Sequence, residues 1–274
     1  MSTLLPADYH MHSNHSGDSY TPMKDIVESS IERGLFEICF TEHMDLDFPI
    51  LEDVPEGKFT LDIPSYKKEL FSLKEIYKDR ITIKYGIELG LQPQIADINS
   101  NLIRENDFDF VIGSVHLVDK MDPYYPECWE GKDEDSVVKR YFELSLENIG
   151  LFSDFDVLGH LDYIIRYTPS HGANYSYNKY KEIIDEILKT LVEKGKGLDL
   201  NTQSMFRGSS FTNPNADILK RFKELGGKIL TFGSDAHKTE SVGGCFERAK
   251  EIALDCGFDS YFTFDKRVPT GHKL

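Results

Sequence analysis

The sequence predicts an α/β protein whose parallel sheet closes into a β/α barrel, and three observations carry that prediction. Apolar, β-rich runs alternate with helical patterns in seven successive units, with no linker or low-complexity break between them. The 274 residues suit one large domain, taken here as 1–274, and at this length a closed barrel is favoured over an open doubly wound sheet. No GxGxxG or P-loop follows the first strand, which removes the usual nucleotide signatures of the open sheet.

Strands are expected at about 4–10, 36–41, 81–88, 108–115, 155–159, 197–201 and 228–232. The first opens on Leu4-Leu5 and runs into Asp8-Tyr9-His10-Met11-His12. A helix follows, with Thr21 as its cap, Pro22 in its first turn, Ile26, Val27 and Ile31 facing inward, and Gly34 as its stop. Ser65 opens the next, with Tyr66, Leu70, Leu73 and Tyr77 on one stripe. Another covers about 135–149, and the longest, near 176–194, buries Ile183, Ile184, Ile187, Leu188, Leu191 and Val192. Asn213-Pro214 starts a helix that Gly226-Gly227 ends, and a last one covers about 243–256. The stretches 44–62 and 119–133 follow strand ends and read as long loops, where barrel enzymes carry substrate-binding insertions.

Composition narrows the function classes. Hydrophobic content of 40% and charged content of 28% are ordinary for a soluble globular protein. No apolar run approaches the roughly 18 residues of a membrane span. The first ten residues lack the basic and apolar regions of a secretory leader. Cys39, Cys128, Cys245 and Cys256 show no CxxC spacing and read as reduced thiols, so a cytoplasmic location is expected. The net charge of -16 argues against binding nucleic acid. It leaves a small anionic substrate open, because bound cations reverse the local field.

The histidines carry the functional signal. Side chains two apart on a strand share a face, so His10 and His12 present two imidazoles together. Later strands end Thr41-Glu42-His43, Gly86-Ile87-Glu88, Gly113-Ser114-Val115-His116, Leu158-Gly159-His160 and Gly233-Ser234-Asp235-Ala236-His237. In a barrel those ends converge on one mouth. One histidine at a strand end is usually a satisfied polar residue. Six of the nine lie there, with Glu88 and Asp235 at equivalent positions, which points to a common metal site. Imidazole and carboxylate without thiolate suit zinc, manganese or iron(II). The donors exceed what one ion holds, so two or three clustered ions are expected, with Glu88 as the natural bridge. Clustered ions generate hydroxide at neutral pH and stabilise an in-line displacement, so the expected reaction is hydrolysis, of phosphate esters before amides.

In their order these motifs resemble the PHP (polymerase and histidinol phosphatase) family: His10-X-His12, Glu42-His43, Glu88, His116, His160 and Asp235-X-His237. The flanking words Thr41-Glu-His43, Ile112-Gly-Ser-Val-His116, Gly159-His-Leu-Asp162 and Asn201-Thr-Gln-Ser-Met-Phe-Arg207 are most similar to its histidinol-phosphatase branch. The resemblance implies a distorted (β/α)7 barrel with three divalent ions (Zn, Mn or Fe) at the C-terminal ends of the strands. It implies a phosphomonoesterase acting on L-histidinol phosphate, with a metal-bridging hydroxide as nucleophile. Residue by residue, it assigns His10, His12, Glu88 and Asp235 to one ion. Glu88, His116 and His160 fall to a second, and Asp18, His43 and His237 to a third. Asp18 stands where many relatives carry His.

Arg207 and Arg166 are candidates to clamp phosphate, since guanidinium matches its oxygens bidentately. Asp162, His171 or a metal-bound water is a candidate to protonate the leaving group. Glu42 and acids of the 44–62 loop are candidates to face the substrate's ammonium and imidazole. Tyr124, Tyr125 and Trp129 form either an aromatic wall over the substrate or a plain packed lid. His15 reads as a polar loop residue and His272 as part of a tail. Oligomeric state is left open. Three other readings remain. One is a PHP-type esterase for nucleotide phosphates, which the charge disfavours. Another is an amidohydrolase-type barrel, which usually adds a carboxylated lysine. The last is a metal-binding module without activity, against which every ligand position is filled.

Overall fold

The computed structural model describes residues 7–274, so Leu4-Leu5 and the start of the first expected strand lie outside the described residues. A parallel sheet runs in the order β1 (Glu37–Phe40), β3 (Thr82–Gly90), β4 (Phe110–Ser114), β5 (Val157–Leu158), β6 (Gly197–Asn201) and β7 (Leu230–Gly233). After a break at Thr41-Glu42, β2 (His43–Met44) resumes the pairing on β3, placing His43 opposite Glu88. The segment 8–12 closes the ring. It is bridged in parallel to Ile38 on one side and to Ala236 on the other. Cys39 N and Thr41 N donate to the carbonyls of Asp8 and Met11 at 2.8 and 2.9 Å, and Tyr9 N and His12 N donate to Phe232 and Ala236 at 2.8 Å each. The sheet is therefore a barrel, distorted by the β1–β2 break and by the two-residue β5.

The helices α1 (Met23–Glu32), α2 (Ile63–Tyr77), α3 (Ala96–Glu105), α4 (Glu134–Leu151), α5 (Lys181–Glu193), α6 (Gln203–Phe206), α7 (Ala216–Glu224) and α8 (Phe246–Asp255) join the strands. Their apolar stripes complete the core. Ile184, Ile187, Leu188 and Leu191 of α5 are fully buried; truncating one of them to alanine costs about 2–5 kcal/mol.

Local signals gave way to tertiary partners in several places. Thr21 does not cap α1. Pro22 holds that position, and the Thr21 hydroxyl donates to the His237 carbonyl at 2.8 Å. The second helix starts two residues before Ser65, on Asp62, which accepts from Ser65 N at 3.1 Å. Asn213-Pro214 is a cis peptide ahead of α7, and Asn215 caps that helix by accepting from Ile218 N. Helix α3 is absent from the sequence reading; it buries only Asn99 and Ile103.

The expected tail is a hairpin, β8 (Ser260–Asp265) with β9 (Val268–Lys273). Its Phe264 N donates to the Tyr9 hydroxyl at 2.8 Å, and the Tyr9 ring meets Phe110 edge-on at 5.0 Å. Lys84 reaches Asp265 at 2.7 Å and Arg267 reaches Asp156 at 2.5 Å. These partners lie at strand beginnings, so the hairpin covers the barrel end opposite the strand-end histidines. His272 belongs to this hairpin, bonded to Thr263 at 2.8 Å and stacked on Tyr261.

Candidate metal centre

At the C-terminal strand ends, Glu88 is fully buried and surrounded by imidazoles. Its Oε2 lies 3.2 Å from His10 Nε2, 3.5 Å from His12 Nε2 and 3.0 Å from His43 Nδ1. Its Oε1 lies 3.3 Å from His116 Nε2 and 3.2 Å from His160 Nε2, and accepts from the Ser114 hydroxyl at 2.6 Å. Asp235 Oδ1 stands 3.5 Å from His12 Nε2 and 3.8 Å from His10 Nε2. Asp18 Oδ2, at the solvent side, lies 3.1 Å from His237 Nε2 and 3.6 Å from His43 Nε2. All nine residues singled out as ligands thus lie in one cluster.

The cluster has the chemistry of a metal centre. His10 Nε2, His12 Nε2, His43 Nδ1 and Glu88 Oε2 are buried and make no hydrogen bond, although they crowd together. A buried polar atom left unpaired costs roughly 1–3 kcal/mol, so four aimed at one space call for a cation. Donor atoms of His10, His12 and Glu88, of Glu88, His116 and His160, and of His12, His43 and His237 each lie within 4.8 Å of one another.

Without a metal, these groups hold one another's charge. Burial would raise Glu88, but His10, His43 and His116 overcome it and keep its carboxyl well below the usual range. Burial opposes a charge on His116, yet Asp45 and Glu88 push its imidazole up to about 10. His12 and His160 go the other way, lowered by burial to about 3 and about 4.

Residues that sequence reasoning missed orient these imidazoles. His10 Nδ1 donates to Asp199 at 2.8 Å, His116 Nδ1 to Asp45 at 2.6 Å, His12 Nδ1 to Ser16 at 3.1 Å and His237 Nδ1 to the Asp235 carbonyl at 2.9 Å. Each bond fixes the tautomer that leaves Nε2 for a metal. His43 is reversed, turning Nδ1 to Glu88 and Nε2 to Asp18. The signal for Asp45 was its position two residues after His43; for Asp199 it was an acid inside the apolar strand Gly197-Leu-Asp-Leu-Asn201. Asp235 itself has φ 54°, a conformation unusual for a residue with a side chain, and Gln203 Nε2 holds its carbonyl at 2.8 Å.

Above the donors opens a cavity of about 450 Å³. Arg207 lines it and is exposed. Arg166 also lines it but is committed, donating to Asn201 at 2.7 Å, Asn213 at 3.0 Å, Ser204 at 3.1 Å and Asp235 at 3.2 Å. These bonds tie its guanidinium to Asp235 at the edge of the cavity. Three other candidates lie outside the cavity lining. Glu42 is fully buried outside the cavity lining, accepting from Ser13 N and from the Ser16 hydroxyl at 2.6 Å. His171 is exposed in a turn away from the cavity. Asp162 is buried behind it, accepting from Asn213 at 2.7 Å and Asn215 N at 3.1 Å, with burial lifting its carboxyl to about 6. Tyr124 and Tyr125 line the cavity, whereas Trp129 packs inside its own loop with Nε1 on the Pro123 carbonyl. His15 stands apart, bonded to Glu69 at 3.0 Å.

A closed parallel barrel with histidine and carboxylate donors gathered at its strand ends defines a metal-binding barrel of the hydrolase kind. The PHP domain model matches residues 8–203, and the chain belongs to that family. It is 34% identical over 258 residues to the histidinol-phosphatase of Lactococcus lactis subsp. lactis (strain IL1403), covering 94% of this chain and 93% of that protein. It is 31% identical to a Clostridium acetobutylicum protein named probable histidinol-phosphatase, covering 95% and 97%. The crystal structure of the Lactococcus lactis histidinol phosphate phosphatase complexed with zinc, L-histidinol and phosphate superposes with a TM-score of 0.86 at 33% identity, over 98% of this chain and all of that one. A Listeria monocytogenes structure at 19% identity shares the fold, with a TM-score of 0.78 over 88% of this chain and 99% of that one. No helix among the described residues is long and apolar enough to cross a membrane.

Proposed function

We propose that this chain is a metal-dependent histidinol-phosphatase, hydrolysing L-histidinol phosphate to L-histidinol and phosphate. The observation that carries the reading is Glu88, a buried carboxylate touched by five imidazoles at 3.0–3.5 Å, in a chain 34% identical to a histidinol-phosphatase over nearly its full length. The chain acts as one domain, consistent with one buried apolar cluster among the described residues running from Ala7 to Phe264. The net charge of -16 and the small cavity fit a small phosphorylated substrate rather than nucleic acid.

Three divalent ions fit the donors. His10, His12, Glu88 and Asp235 would hold one, Glu88, His116 and His160 a second, and Asp18, His43 and His237 a third, with Glu88 shared. Zinc, manganese and iron(II) all accept this donor set. When bound, such ions supply a hydrolytic nucleophile at neutral pH and neutralise charge on phosphate oxygens. The chain's own groups do the rest. Asp199, Asp45 and Ser16 hold the imidazoles in register, and Arg166 holds Asp235. Arg207 receives the phosphate bidentately at the cavity mouth.

Phosphate release from histidinol phosphate, nucleoside monophosphates and sugar phosphates, before and after chelation, tests this. A strong kcat/KM preference for histidinol phosphate that chelation abolishes supports it; a preference for nucleotides overturns the substrate.

A further inference from the structure

Arg166 is held by a buried arrangement that fixes its guanidinium while leaving most of its charge uncancelled. A guanidinium carries five N–H donors. The Nε–H of Arg166 is shared between Asn213 Oδ1 at 3.0 Å and the Ser204 hydroxyl at 3.1 Å, Nη2 donates to Asn201 Oδ1 at 2.7 Å, and Nη1 donates to Asp235 Oδ2 at 3.2 Å. One N–H on each of Nη1 and Nη2 is left over, on a side chain that lines the cavity. Apart from Asp235, every one of these acceptors is a neutral oxygen. Carboxylates in their place would hold the guanidinium as firmly and would neutralise it.

The two amides stand opposite each other, Asn201 at the end of β6 and Asn213 ahead of α7, joined by backbone hydrogen bonds of 2.9 and 3.0 Å. Both are fully buried. An amide can turn over, so its carbonyl stays on the guanidinium only if its NH2 end is claimed elsewhere. For Asn213 the claimant is Asp162, also fully buried, whose Oδ1 accepts from Asn213 Nδ2 at 2.7 Å. A carboxylate only accepts and a guanidinium only donates, so the amide between them has one orientation. The other carboxyl oxygen of Asp162 is tied down in turn, by Asn215 N at 3.1 Å and the Tyr175 hydroxyl at 3.4 Å. Neither Asp162 nor Asn213 lines the cavity, so both act on it through Arg166.

We propose that Asn213, locked by Asp162, is a positioning residue that sets Arg166 with its two remaining N–H groups and its charge available to a phosphate in the cavity. This rests on the phosphatase reading above.

The test is a double-mutant cycle on metal-loaded protein, with N213A and D162N each made alone and together with R166Q. Three quantities are read: kcat and KM for p-nitrophenyl phosphate, the Kd of inorganic phosphate by calorimetry, and metal content. N213A is expected to weaken phosphate binding and kcat/KM by about 10- to 100-fold, the size of one hydrogen bond to a charged group, with metal content unchanged. In the R166Q background the same substitution is expected to add little, because its effect passes through Arg166. D162N keeps the shape but leaves a single oxygen for Asn213 Nδ2 and Asn215 N, so a smaller fall in the same direction is expected, and it carries the test if N213A does not fold. An undiminished effect in the R166Q background, a wild-type phosphate Kd in both variants, or a loss that excess metal restores overturns the assignment and leaves the phosphatase reading standing. A metal-loaded wild type that hydrolyses no phosphomonoester overturns that reading, and this inference with it.

Discussion

Asp199 Oδ2 accepts a hydrogen bond from His10 Nδ1 at 2.8 Å, and both side chains are fully buried. The bond holds the imidazole so that Nε2 faces Glu88 and Asp235. A carboxylate behind a ligating histidine fixes the ring and raises its basicity, and losing it typically costs 10–100-fold in metal affinity or activity. Asp199→Ala is therefore expected to lose metal on dialysis about 10- to 100-fold more readily, with activity partly restored by excess metal. Metal analysis alongside kcat/KM at rising metal concentration checks this; full metal retention would contradict it.

Gly233 makes room for that pair. A Cβ at this position would sit 2.4 Å from His10 Cβ and 2.6 Å from Asp199 Oδ1, closer than real contacts allow. Gly233→Ala is expected to push His10 out of register and to destabilise the fold by about 1–3 kcal/mol, the usual range for overpacking. Thermal melting with metal analysis reads both effects. A variant with wild-type melting and full metal would show that the strand end is slack.

Glu88 joins two groups of imidazoles, so removing its charge should disturb both. Glu88→Gln keeps the shape and the Ser114 contact but leaves the imidazoles facing a weak, neutral ligand. Activity should fall by about a hundred- to a thousandfold or more, with less metal bound per chain. Near-wild-type turnover would remove Glu88 from the centre of the mechanism.

The metal-free cluster stores protons. Burial opposes charge on His10, His43, His116 and His237, but their carboxylate neighbours outweigh it and raise all four, His116 to about 10. A raised imidazole keeps its proton at neutral pH, and a metal must displace it, so affinity rises with pH and each binding event releases protons. His12 and His160, lowered to about 3 and about 4, release none. Calorimetric titration of metal into stripped protein in buffers of different ionisation enthalpy should show net proton release that shrinks as pH approaches 10. Proton-neutral binding at pH 7 would contradict this.

The residues of the strand-end cluster were legible because a barrel brings its strand ends to fixed places. Strand β6 was expected at 197–201 and lies at Gly197–Asn201, and His43, Glu88, His116 and His160 all follow from the rule that strand ends meet at one mouth. What was illegible depended on partners far along the chain. Thr21 satisfies every local rule for a helix cap, yet its hydroxyl goes to the carbonyl of His237, 216 residues away. The hairpin formed by β8 and β9 has a mostly exposed second strand, and it is anchored by Tyr9, 255 residues from Phe264. Helix α3 has too thin an apolar stripe to stand out. Glu42 and His43 are adjacent in the motif, but only the fold shows one turned to the serines and the other to Glu88.

The most direct measurement is metal reconstitution of the stripped enzyme, following phosphate release from histidinol phosphate against equivalents of zinc or manganese added. The expected result is no turnover in the stripped protein, and a rise that saturates near three ions per chain with a strong preference for this substrate over nucleoside monophosphates. Full turnover without metal, or no turnover with the sites filled, would contradict a metal-dependent histidinol-phosphatase.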